Sequence, residues 1–165
     1  MSSVQMHLAL THVPVILSLV GLVMLVVAYF IKNETLTKTS YVLIIFAGLA
    51  ALPVYFTGEG TEEVVEKLPG VSESNIESHE EVAKLAMISI SMAGVAALAA
   101  LLVYKRKAIA NVFKLAVLLL AIASGVLMIQ TAHQGGSIRH TEMNGNLPAQ
   151  TLEQGGDAQA DNDDE

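Results

Sequence analysis

The sequence predicts an all-α membrane protein: a four-transmembrane-helix up-down bundle with both termini outside. Three observations lead there. Four apolar runs, at 13–31, 41–57, 82–104 and 109–132, are each long enough to cross a bilayer as a helix, which takes about 17–25 residues. Charges gather between these runs, so a chain that is only 15% charged reaches a mean hydropathy of +0.54. Six of the nine basic residues (Lys32, Lys38, Lys105, Arg106, Lys107 and Lys114) lie in or beside the first and third connections. In short loops that bias marks the cytoplasmic side. The chain is therefore expected in a bacterial inner membrane, with its N- and C-termini periplasmic.

The first span, about 5–31, is ~40 Å long at 1.5 Å per residue, so its first turns stand above the hydrocarbon. Residues 1–12 hold no Lys or Arg and no small-residue cleavage site follows the run, so it does not read as a secretory leader. The basic linker KNETLTKTS is short enough for an antiparallel hairpin. The second span, about 41–57, carries Pro53 near its outer end and is expected to stop at Thr57-Gly58-Glu59-Gly60.

A periplasmic loop is expected over 58–75, with a short amphipathic turn capped by Thr61 and broken by Pro69 and Gly70. Ser74-x-x-Glu77 has the form of a capping box opening the third span, about 76–104. Ala93, Gly94, Ala96, Ala97 and Ala100 on that span are small residues of the kind that bring membrane helices close. The fourth span, about 109–133, holds Ser124 and Gly125 and is expected to end at Gly135 and Gly136. Residues 1–143 thus form the bundle domain, and 144–165 an acidic tail expected to be disordered.

All five histidines fall at the predicted outer side: His7 and His12 open span one, His79 opens span three, and His133 and His140 follow span four. A faint pseudo-repeat accompanies them, because each hairpin starts at a histidine and ends in a Thr-containing, Gly-rich turn. His7 and His12 are five apart and therefore point ~140° away from each other on one helix. Spans one and three lie diagonally in an up-down bundle, so His12 and His79 are expected to face each other. Two neutral imidazoles across a shared core suit a six-coordinate b-type haem. His7 and His140 are secondary candidates, and Arg139 a propionate anchor. The alternative is a transition-metal ion (Zn, Cu or Fe) held by His7, His12, Glu59, Glu63, His79, Glu80 and His140, with Glu142 nearby. A third reading is a structural accessory subunit of a membrane complex.

Several classes drop out. With no cysteine there is no disulfide, thiolate site or c-type haem attachment. Apart from Lys84 and Lys114, which lie toward opposite edges, the apolar runs hold no ionisable residue between their ends, which argues against pumps and transporters. The net charge of −7 describes an acidic outer face and no nucleic-acid partner. No nucleophile–base pattern or phosphate loop points to an enzyme. Expected partners are the lipid bilayer, a periplasmic electron carrier or respiratory complex, and a second copy in a homo-oligomer.

The patterns H-x-x-x-x-H-x-P (His7 to Pro14), T-G-E-G-x-E-E-V-V (from Thr57), L-P-G-V-S-E (from Leu68), I-x-x-H-E (from Ile76) and G-G-x-I-R-H-x-E (from Gly135) resemble a family of bacterial four-helix membrane proteins, a domain of unknown function. The resemblance covers roughly residues 6–142. It implies the four-helix fold, and through more distant relatives ending in H-x-G-G it implies b-type haem. The closer group often lacks a histidine at the position of His133, so the resemblance implies no ligand role there.

Overall fold

The computed structural model describes residues 3–66 and 71–139. Its helices are α1 (Ser3–Leu10), α2 (His12–Ile31), α3 (Glu34–Val65), α4 (Glu73–Leu102) and α5 (Lys107–Arg139). Thr11 keeps right-handed helical dihedrals and donates its amide to the His7 carbonyl at 2.9 Å, so α1 and α2 form one rod. The interruption has a local cause, since Pro14 has no N–H to offer the Leu10 carbonyl. Four rods result, each long and apolar enough to cross a membrane.

Around the bundle α2 packs beside α3 and α5, and α4 packs beside the same two helices. The α1–α2 rod and α4 therefore occupy one diagonal, α3 and α5 the other. One end of the bundle carries His7 and His79; the other carries the Lys32 and Lys105–Lys107 turns. We call them the histidine end and the lysine end.

Side-chain size is sorted from inside to outside. α2 buries Pro14, Ser18, Gly21, Leu25 and Ala28, while Ile16, Val20, Val23, Val27 and Phe30 stay exposed. α4 buries Ala86, Ile90, Ala93, Gly94, Ala97 and Ala100 and exposes Leu85, Ile88, Met92, Val95 and Leu98. In lipid nothing is gained by hiding large apolar groups, and helices associate through close van der Waals packing of small ones. Helices α3 and α4 approach to backbone contact. A Cβ on Gly48 would lie 3.0 Å from the Ile90 carbonyl, and one on Gly94 would lie 3.5 Å from the Ile44 carbonyl. Ile44, fully buried, also fills the space in front of Gly21.

The lysine end is finished by tight caps. Lys32 takes a left-handed conformation (φ 54°), and the amides of Lys32 and Asn33 both donate to the Ala28 carbonyl, a Schellman-type closure. The Asn33 side chain then caps α3 by accepting from the Leu36 amide at 2.8 Å. Lys38 pairs with Glu34 at 2.6 Å and lies over the Tyr104 ring, and Lys114 lies over Tyr29. Snorkelling cations held by aromatic rings suit a membrane–water boundary.

The histidine end departs from the expected layout. α3 does not stop at Thr57 but continues through Gly58 and Gly60 to Val65, and Thr61 lies within it, donating to the Thr57 carbonyl. The expected 58–75 loop shrinks accordingly. α4 is capped from Ser72, whose hydroxyl meets that of Ser74 at 2.8 Å, two residues ahead of the expected capping box. α5 likewise runs past Gly135 and Gly136 to Arg139. The glycines read as helix stops are interior positions, for a reason given below. The expected Pro69 and Gly70 break, His140, Glu142 and the 144–165 tail lie outside the described residues.

Gly48 faces backbone that cannot swing aside. Gly48→Val should therefore destabilise the protein by about 1–3 kcal/mol, read as a lower thermal midpoint in detergent. Val95→Ala, on an exposed face, should leave the midpoint nearly unchanged.

Candidate functional site

At the histidine end the site grows from two contacts between an imidazole and a helix backbone. His7 on α1 reaches across to α3, where its Nδ1 lies 3.0 Å from the Val54 carbonyl oxygen. A carbonyl only accepts, so Nδ1 carries the proton and donates. In the neutral ring Nε2 then keeps its lone pair, free to ligate. Thr57 closes the arrangement: its hydroxyl donates to the Pro53 and Val54 carbonyls and lies 3.4 Å from the same Nδ1. The ring rests on Gly58, where a Cβ would stand 3.4 Å from Cε1 and 3.7 Å from Nδ1.

His79 on α4 makes the matching approach to α5. It rests on Gly135, where a Cβ would stand 3.1 Å from Cε1 and 3.6 Å from Nδ1. The Thr131 backbone and His7 both lie near enough to this ring to act on it. Its Nδ1 is buried without a closed hydrogen bond. Beside it Gln134 donates from Nε2 to the Ser78 hydroxyl at 3.1 Å, while its Oε1 is also buried and unpartnered. An unsatisfied buried polar group costs about 1–3 kcal/mol. Two at one spot mark it as chemically unfinished.

These contacts explain the continuous helices. A methyl at Gly135 would crowd the His79 ring, whereas one at Gly58 would make ordinary contact with His7 and only a longer side chain would push the ring away. Gly58 and Gly135 serve that close approach and do not terminate anything.

The expected pairing of His12 with His79 is corrected by this geometry. His12 is exposed, and His7 is the residue that turns inward. The ~140° between them means that one facing the core sends the other out. His7 lies seven residues before buried Pro14, two helical turns along the same stripe, whereas His12 is off it. Glu80 and His133 are exposed as well, so the site does not gather them. Of Glu59, Glu63 and Arg139 only the helical backbone is described. Among the described residues no three His, Asp or Glu side chains cluster as a metal site would need. Sequence reasoning missed Val54, Thr57, Gly58, Thr131, Gln134 and Gly135 as parts of the site. The available signal was the pseudo-repeat of a histidine opening each hairpin and glycine closing it.

Comparison of the chain with protein-family models, curated proteins and solved structures finds no match.

His7 also pins α1 to the bundle. Its replacement by Ala removes a hydrogen bond worth about 0.5–1.5 kcal/mol. Amide exchange in residues 3–10 should accelerate in His7→Ala and stay as in the parent protein in His12→Ala.

Proposed function

We propose that this is an integral membrane protein that carries electrons on a b-type haem held at its histidine end by His7 and His79. The observation that carries the reading is the His7–Val54 bond. Metal-ligating histidines characteristically donate their second ring nitrogen to a carbonyl or carboxylate, which fixes the tautomer and raises ligand basicity. His7 is fixed in this way. His79, on the opposite diagonal helix, offers a second imidazole, seated on Gly135 of α5.

Donor number favours haem over a bare ion. A zinc-type ion takes three or four protein ligands, and among the described residues the described side chains converge as two imidazoles. A porphyrin brings four nitrogens of its own and asks the protein for two axial ones. With no cysteine in the chain, attachment is non-covalent. When bound, the group supplies reversible one-electron chemistry. The chain's own residues then have plain tasks: His7 and His79 ligate, Val54 and Thr57 orient His7, and the apolar helices around them limit water. Arg139, the last residue of α5, remains the candidate for a propionate.

Orientation completes the reading. Lys32, Lys38, Lys105, Arg106, Lys107 and Lys114 place the lysine end in the cytoplasm and the histidine end, with both termini, in the periplasm. Electrons would be exchanged there with a soluble carrier or the exposed part of a respiratory complex.

Protein purified in detergent and titrated with haem b should show a sharp Soret band with low-spin, six-coordinate features. His7→Ala and His79→Ala should each abolish the six-coordinate form, and His12→Ala should retain it. Parent protein that takes up no haem, or His12→Ala failing as His7→Ala does, contradicts the proposal.

A further inference from the structure

The two imidazole contacts belong to a larger correspondence. His79 follows His7 by 72 positions, and the same shift carries the buried set of α2 (Pro14, Ser18, Gly21, Leu25, Ala28) onto Ala86, Ile90, Ala93, Ala97 and Ala100 of α4, all buried. Gly135 follows Gly58 by 77 positions. That shift carries Ser40, Ile44, Ala47, Gly48 and Ala51 of α3 onto Val117, Ala121, Ser124, Gly125 and Met128, which are the buried residues of α5. The excess of 77 over 72 falls in the second turn at the lysine end. Helical periodicity alone can align two apolar stripes. It does not require the same shifts to align His7 with His79, and Val54 and Gly58 with Thr131 and Gly135.

Helix contacts follow the same rule. Gly48 of α3 packs on Ser91 of α4, and its image Gly125 of α5 packs on Leu19 of α2, the position equivalent to Ser91. The ring of neighbours α2, α3, α4, α5 thus has the order expected of two similar hairpins related by a pseudo-two-fold axis, with the α3–α4 interface more extensive than α2–α5.

We propose that the chain is a fused duplication of one helical hairpin, with His7 over Gly58 and His79 over Gly135 as two copies of one half-site. In each copy we assign the Nδ1 proton to the carbonyl four residues before the glycine, Val54 or Thr131: the bond is made at His7 and still open at the buried Nδ1 of His79, and closing it would leave both Nε2 atoms to hold a single metalloporphyrin. Thr131 and Gly135 are then positioning residues for His79, equivalent to Val54 and Gly58 for His7. The ligand identity rests on the haem reading; the half-site equivalence does not.

Two measurements on the full chain separate these. In protein labelled with 15N-histidine and free of haem, at a pH where the rings are neutral, long-range 15N–1H spectra should show Nδ1–H tautomers for both His7 and His79. An Nε2–H tautomer at His79 overturns the duplication of the half-site. In haem b titrations, the bulkier replacements Gly58→Leu and Gly135→Leu should weaken binding alike, each about tenfold, the lower range for disturbed metal-ligand support. A loss confined to one of them overturns the equivalence. Matching tautomers in a protein that takes up no haem would overturn the metalloporphyrin and leave the paired half-sites standing.

Discussion

An imidazole drawn into an apolar bundle must place its N–H on an acceptor, and the only acceptors at hand are helix carbonyls already engaged in their own ladder. That constraint organises the histidine end. A carbonyl has two lone pairs, so the Val54 oxygen can serve both its helix and His7, provided the ring comes close enough. One turn further on the ring rests on Gly58, where a methyl would make ordinary contact and a longer side chain would intrude. Once the ring is seated, α1 is held on α3 and Nε2 keeps its lone pair. The position of α1 and the tautomer of His7 follow from one contact, and His79 shares with it the seat on a glycine, Gly135.

The membrane region obeys a different rule that leads to the same geometry. Lipid offers large side chains as good an environment as the core does, so Phe30, Val95 and Val112 remain outside while Ala, Gly and Ser line the interior. The helices close to backbone distance at Gly48 and Gly94. A rigid, closely packed lower bundle gives the upper end its precision: two rings on diagonal helices meet reproducibly only if the helices carrying them cannot slide.

Much of this was legible in the residues. Four spans, their order and the segregation of Lys and Arg from the histidines followed from hydropathy and charge alone. What misled was punctuation. Gly58, Gly60, Gly135 and Gly136 read locally as helix ends, and only tertiary contact reveals that two of them admit a ring. The choice between His7 and His12 was likewise fixed by helical rotation, and the buried small-residue stripe ending at Pro14 held the answer. The Thr131 and Gln134 contributions are invisible in sequence because they depend on how α5 is rotated against α4.

Convergence of His7 and His79 across the bundle diagonal is the central claim, and it can be tested without any cofactor. The chain has no native cysteine, so paired cysteines at 7 and 79, and at 12 and 79, can be challenged in membranes with a short bifunctional maleimide. The 7/79 pair should crosslink within one chain and the 12/79 pair should not. Efficient crosslinking of 12/79 with none at 7/79 would contradict the arrangement described.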